Sequence, residues 1–455
     1  MRDPAPGAVV RDHLLDDTLL VFLSDTHIGG SDGSDIFDSA PELEALFADL
    51  EQHHGPVELV LAGDFIDLLR LGEPGTGQAG VDATVGSRKY EGLFAALRRF
   101  SAVAGHRVVY VVGNHDAEVW WNADVQWSLH ERGLVHQFAL SYTAAFDTLP
   151  EQVVYCEHGN QFDPTNRITD YANPLDTPVG AHIVSELVRP MGSGAAITPA
   201  LDLRDVSYVF PLAMLPQWLA GRLFYRFLHL VVLWLILPIA AILLAKQAII
   251  AVGGADLGVG GVLVEVAFDL ALLLLAFGLF FVVSGRTARL VTTALAGRFR
   301  GRGLDPETGE ASAIRDLLTS ERLPPMAEHI SGRQIAVFIS GHTHAPALTS
   351  MRRADGTTVV IANTGCWLRQ LQPANTWLGA PAVFVPAVVH THIRVRRTEN
   401  GLAVELWDHP KPADLRLPLI ERLAVAGRMP GAPPRGSPPR LVAHYTTGLS
   451  TDDRR

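Results

Sequence analysis

Six short apolar runs, each ending in residues able to hold a metal ion or a phosphate, constrain this chain more than any other feature. Residues 18–23 lead into Ser24-Asp25-Thr26-His27, and residues 57–62 into Gly63-Asp64-Phe65-Ile66-Asp67. Residues 107–112 lead into Gly113-Asn114-His115-Asp116, and residues 152–156 into Glu157-His158-Gly159-Asn160. Residues 335–340 lead into Gly341-His342-Thr343-His344, and residues 357–362 into Asn363-Thr364-Gly365-Cys366. Short β-branched runs bounded by Gly, Asp and Asn read as buried strands. Ligands of open α/β sheets gather at the carboxyl ends of strands. Six runs of one polarity therefore predict strand ends that converge on one metal site.

A chain of 455 residues accommodates two or three domains. Its formal charge of −11 gives no support to broad nucleic-acid binding, and none is expected. Cys156 and Cys366 are too few for a disulfide framework and read as small buried hydrophobes. The first residues lack the apolar core of a signal peptide. The mean hydropathy of +0.19 is high for a soluble enzyme, and the middle of the chain accounts for it.

Up to about residue 185, strand-like runs alternate with helical patterns at residues 41–52 and 90–103, as in a layered α/β domain. Residues 70–88, rich in Gly, Thr and Ala, read as an exposed loop. The pattern breaks at Pro190-Met191-Gly192-Ser193-Gly194 and resumes near residue 333, with a hairpin of residues 392–397 and 402–407 joined through Glu399-Asn400-Gly401. The expected organisation is a catalytic domain in two parts, 1–189 and 331–410, an insertion at 190–330, and a Pro/Arg/Gly-rich disordered tail at 411–455.

Within the insertion, apolar segments at about 227–252 and 259–284 each approach the roughly 20 residues needed to cross a bilayer, with Gly253–Gly258 between them. Arg222 and Arg226 precede the pair; Arg286, Arg289, Arg298, Arg300 and Arg302 follow it; the connecting loop has no Lys or Arg. The positive-inside rule predicts a two-span hairpin in a multi-pass membrane protein with its α/β domain in the cytoplasm, the alternative being a hairpin that dips into one leaflet. Glu265 and Asp269 sit awkwardly in the second span, where carboxylates are costly and mark function or face another helix.

Asp25, His27, Asp64, Asn114, His158, His342 and His344 offer carboxylate, amide and imidazole donors. That mixture suits Mn, Fe, Zn or Ni rather than a soft thiolate-bound metal. Seven donors are too many for one tetrahedral ion and suit two adjacent ions, a clamp for in-line attack at phosphorus.

The ordered set Asp-x-His, Gly-Asp, Gly-Asn-His-Asp, His-Gly and Gly-His-Thr-His resembles the calcineurin-like metallophosphoesterase superfamily over residues of about 18–185 and 333–408. The resemblance implies an α/β four-layer β-sandwich flanked by helices, here carrying the two-helix transmembrane hairpin as an insertion, and a metal-bridging hydroxide as nucleophile. It implies that Asp25, His27, Asp64 and His344 hold one divalent ion and that Asp64, Asn114, His158 and His342 hold the other, with manganese the first choice. His115 would stand by the leaving group as acid or cation, with Asp116 orienting it. Ser24–Gly29, Gly63–Asp67 and Asn363–Trp367 look most like the UDP-2,3-diacylglucosamine pyrophosphatase branch, which acts on a lipid-linked diphosphate at a membrane surface. The long insertion departs from that branch.

Several residues receive plainer readings. His53, His54, His130, His136, His229, His390 and His392 read as surface or packing residues, and Asp67 as a helix start or a support behind the ligands. Asn160 and Arg167 are candidate substrate contacts, with Asp163 beside them. The expected activity is hydrolysis of a membrane-associated phosphoester or diphosphate. The alternatives are an anchored phosphodiesterase or phosphatase acting on a soluble nucleotide or phosphoprotein, a non-catalytic scaffold, and a membrane protein working through Glu265 and Asp269.

Overall fold

The computed structural model describes residues 7–29, 35–72, 75–188, 204–210, 214–231, 237–252, 258–300, 306–320, 322–330, 333–353, 355–413, 417–428 and 433–447. Its strands are β1 (Ala8–Leu14), β2 (Leu19–Leu23), β3 (Val57–Ala62), β4 (His106–Val111), β5 (Gln137–Ala139), β6 (Ser141–Phe146), β7 (Leu149–Glu157), β8 (Gln334–Ser340), β9 (Ala347–Arg352), β10 (Thr358–Asn363), β11 (Trp367–Ala374), β12 (Val383–Thr398), β13 (Gly401–Asp408) and β14 (Arg440–Thr446). The six apolar runs are β2, β3, β4, β7, β8 and β10.

They divide equally between two sheets. One sheet has the order β1-β6-β7-β8-β10-β9; the other runs β14-β13-β12-β2-β3-β4-β5, with β11 paired to β12. The trio β2, β3 and β4 is parallel, and so is the trio β7, β8 and β10. Each sheet thus delivers three carboxyl ends to the same edge of the sandwich. The sequence halves on either side of the insertion meet where β7 pairs with β8, and again where β12 pairs with β2.

Burial on both faces explains the unbroken apolar runs. Leu20 and Phe22 of β2 pack between the sheets against Tyr142, Val337 and Ile393, whereas Leu19, Val21 and Leu23 face the helices. Helices Ala40–Glu51 and Glu91–Ala102 cover that outer face with Leu43, Leu46, Phe47 and Leu50, and with Leu93, Phe94, Leu97 and Phe100, at the spacing of one helical stripe. Helix Pro306–Thr319 covers the other sheet through Ile314 and Leu318, which meet Tyr155 and Phe338. Helix, sheet, sheet and helix give the four layers of a mixed α/β fold.

Two expectations need correction here. The stretch 70–88 is not an exposed loop: among its described residues, helix Gly77–Val85 buries Val81 and Val85 four apart against the core. The tail expected to be disordered contains helix Leu419–Ala424 and strand β14, which pairs with β13. Its Arg- and Pro-rich composition hid an edge strand supported by a neighbour's backbone.

The insertion also differs from its reading. The opening of the first predicted span belongs to helix Leu215–Val231, which buries Phe224, Tyr225 and Leu228 against Ala374, Val383 and Val385 of the α/β domain. Residues 190–194, 232–236 and 253–257 lie outside the described residues. Helix Leu237–Val252 has 16 residues, about 24 Å, against a hydrocarbon core of about 30 Å. Among the described residues one helix is long and apolar enough to cross a membrane, over Gly258–Leu290. Lys246 Nζ lies 3.1 Å from Asp269 Oδ2 and 3.6 Å from Glu265 Oε1, and Gln247 Nε2 donates to Asp269 at 3.0 Å. The awkward carboxylates therefore face the neighbouring apolar helix and are paired there.

Candidate metal centre

At the edge where the six strands end, the backbone turns sharply. Asp25, His27, Asp64, His342 and His344 all have positive φ, between 47° and 68°, and among the described residues they are the only non-glycine residues that do. This left-handed conformation is strained for residues with a Cβ and concentrates at functional sites. Five of the seven expected ligands carry it. Backbone bonds hold the turns in place: Asp25 N–H donates to Gly63 O at 3.1 Å, His27 N–H to Asp64 O at 2.9 Å, and Gly341 N–H to His158 O at 2.8 Å. The motif glycines are there for close approach. A Cβ on Gly63 would stand 2.2 Å from His158 Nδ1, and one on Gly341 2.2 Å from Ser24 Oγ.

The side chains form three overlapping clusters of possible ligands: Asp25, His27 and His344; His27, Asp64 and His115; and Asp25, Asp64 and His158. Asp25, His27 and Asp64 each belong to two of them, and Asp64 is the one that links the His115 group to the His158 group. Its Oδ2 is 3.3 Å from His158 Nε2 and 3.8 Å from His27 Nε2. His344 Nε2 is 3.1 Å from Asp25 Oδ1 and 3.2 Å from His27 Nε2.

The outer nitrogens decide what the inner ones do. His27 Nδ1 lies 3.0 Å from the Asp67 carboxylate, and His158 Nδ1 lies 2.9 Å from the Ala62 carbonyl. Each outer nitrogen donates to an oxygen, so an Nε2 that has given up its proton presents its lone pair inward, the arrangement of metal-ligating imidazoles. Asp25 Oδ1 is fully buried there, and the nearest ring nitrogen to it is His344 Nε2 at 3.1 Å. A buried carboxylate oxygen of this kind is costly unless a cation meets it.

The electrostatics agree. Burial pushes the Asp25 and Asp64 carboxyls up, but His344 beside the first and His158 beside the second hold both below the usual range. Burial likewise pulls down His158 and His344, yet Asp64 and Asp25 raise each to about 10. Without other cations the carboxylates force protons onto imidazoles, and divalent ions replace such protons.

The remaining expected residues divide. Asn114 Oδ1 lies 3.2 Å from His158 Nε2, at the margin of the clusters. His342 turns away: its Nε2 is 3.1 Å from Asp163 Oδ2, while its backbone N–H donates to Asp25 Oδ2 at 2.9 Å. His115 joins His27 and Asp64, with its ring centroid 4.5 Å from that of His27. Asp116 does not orient it. That carboxylate accepts from Gly113 N–H, Phe65 N–H and Tyr110 Oη, and so braces the loops. Asp67 does the orienting, 3.0 Å from His115 Nδ1, and also caps helix Leu68–Leu71 and accepts from Arg70 Nε.

The two expected substrate contacts are spent elsewhere. Asn160 is buried, donating to Asn166 O and accepting from Tyr171 Oη. Arg167 is exposed and donates to Gln161 O. The sixth strand end is a brace: Asn363 Nδ2 donates to Gly341 O at 2.6 Å, and Thr364 Oγ1 meets Ser24 Oγ at 2.6 Å. His390 stacks on Trp367 and His392 accepts from Arg394 Nε, consistent with packing roles. One participant had no signal in the sequence: Phe210, from the insertion, lies against His344.

Residues 18–197 match the family model of the calcineurin-like phosphoesterases. The match supports the metallophosphoesterase superfamily and, with the buried Asp and His clusters, a metal-dependent phosphoester hydrolase. His342 and His344 lie beyond the matched residues, after β8, and of the two His344 joins the clusters. No curated protein matches the chain.

Proposed function

We propose that this protein hydrolyses a membrane-associated phosphoester at a two-metal centre built from Asp25, His27, Asp64, Asn114, His158 and His344, which His342 joins only if its ring leaves Asp163. The observation that carries the reading is the anchoring of His27 and His158 through Nδ1, which aims their Nε2 atoms at the buried Asp25 and Asp64 carboxylates. Bound divalent ions, manganese first among the candidates, supply an activated water at neutral pH and positive charge against the phosphoryl oxygens. The chain's own residues position the rest. Asp64 holds the two halves of the site together. Asp67 fixes the His115 ring, and burial, which pulls His115 down, is outweighed by Asp67 and Asp64, so His115 holds its proton above the ordinary histidine range. A protonated His115 stabilises developing charge on the leaving oxygen and can deliver the proton to it.

Membrane attachment rests on the apolar stretch Gly258–Leu290, with the paired helix Leu237–Val252 supporting a hairpin. Arg222, Arg226, Arg286 and Arg289 at its flanks favour a cytoplasmic catalytic domain. The motif likeness to the diacylglucosamine pyrophosphatase branch makes a lipid-linked phosphoester or diphosphate the first substrate class to try. The test is purification in detergent, elemental analysis of bound metal, and a panel of lipid and nucleotide phosphoesters with Asp64→Ala as control. Turnover that survives both chelation and Asp64→Ala would refute the two-metal reading.

A further inference from the structure

Beside the metal centre, and sharing Asn114 and His115 with it, lies a cavity of about 310 Å³. Its walls are mainly apolar: Leu68, Leu69, Trp121, Ile168, Tyr171 and Ala181. Its carboxylates are Glu118, Asp176 and Glu186; among the described residues no Lys or Arg lines it, and its imidazoles are His115, shared with the metal centre, and His182. Two of these acids are fixed in place. Glu118 accepts from Gly75 N–H, Gly77 N–H and Asn122 Nδ2, and Asp176 accepts from Thr169 and Asp170. Glu186 pairs with His182 at 3.0 Å on the rim.

A group seated here is attached to a phosphorus held at the centre, on the His115 side. A second phosphate, a sugar carboxylate or a nucleotide would need cationic partners beyond His115, which already faces the metal centre, and would meet three carboxylates instead. An aryl or alkyl group loses water-exposed area against Trp121, Ile168 and the leucines without any charge penalty. We infer that the substrate is a phosphoester of an uncharged, apolar alcohol whose organic group occupies this cavity. The inference rests on the hydrolase reading above, and narrows it from phosphoesters and diphosphates to esters whose leaving half carries no charge.

Binding of three probes to the manganese-loaded full-length protein in detergent tests it: inorganic phosphate, phenylphosphonate and 4-carboxyphenylphosphonate, neither phosphonate being hydrolysable. Phenylphosphonate is expected to bind roughly tenfold tighter than phosphate, and its carboxylated counterpart to lose that gain. Trp121→Ala should weaken phenylphosphonate and leave phosphate unchanged. Ser185→Lys, which adds a cation at the rim, should narrow the gap between the two phosphonates. Equal or tighter binding of the carboxylated probe, or no gain from the phenyl group, overturns the inference. Turnover of phenyl phosphate is the separate readout: the expected selectivity in binding, with no hydrolysis, would leave the cavity assignment standing and refute the hydrolase reading.

Discussion

Phe210 lies against His344, ring centroids 4.2 Å apart and planes at 36°. The two residues come from different parts of the chain: His344 from the loop after β8, Phe210 from the insertion that leads to the apolar helices. The same segment touches the centre again through Ser207, whose Oγ accepts from Arg70 Nη1 at 3.3 Å, and Arg70 pairs with Asp67. Val206 and Val209 tie it to Trp218 of the following helix. The insertion is therefore a wall of the candidate metal centre as well as a candidate anchor.

Replacing Phe210 by Ala should loosen His344 without unfolding the sandwich. An aromatic contact of this kind contributes about 1 kcal/mol beyond burial, so metal affinity is expected to fall roughly fivefold. Metal titration beside a thermal melt checks it; unchanged affinity with an unchanged melt would show that the contact does not support the ligand.

Asp67→Asn keeps the shape but removes the charge that orients His27 and His115. Loss of a carboxylate behind a metal-ligating histidine typically costs 10- to 100-fold in metal affinity or rate. Because Asp67 raises His115, its loss should also move the alkaline limb of the pH–rate profile to lower pH. A rate loss with an unmoved limb would point to the ligand role of His27 alone.

Three histidines away from the centre set an acid limit on stability. Burial pulls His390 down to about 3 and His409 to about 4, and holds His392 well below its ordinary value. In this cluster the unfolded chain binds more protons than the folded one at pH values between roughly 4 and 6.5, so stability rises with pH across that window. The loss on acidification should reach a few kcal/mol by about pH 5, above the range where most carboxylates titrate. Denaturant melts from pH 7 to 4 read it, and His409→Gln should flatten the slope.

Lys246→Leu strands Asp269 beside a single remaining donor, Gln247. An unpaired carboxylate at the centre of a span costs about 2.5–3.5 kcal/mol on insertion scales, so yield in the membrane fraction should drop. Lys246→Leu combined with Asp269→Leu should restore it. A double variant as poor as the single one would argue against the pair's placement in lipid.

The sequence determined the ingredients. Strand polarity, the Asp, His and Asn donors at strand ends, the glycines between them and the interrupted catalytic domain are all local properties of residue type and spacing, so they are legible without coordinates. Folding decided how those donors are used. His115 is oriented by Asp67, 48 residues away in sequence, rather than by its neighbour Asp116, and His342 turns to Asp163, 179 residues away. Phe210 against His344, Lys246 against Asp269 and β14 on the sheet edge are likewise contacts through space. Periodicity reports which face of an element is buried; it carries no information about which distant group fills the space beside it, because that depends on how two sheets and an insertion close around one edge.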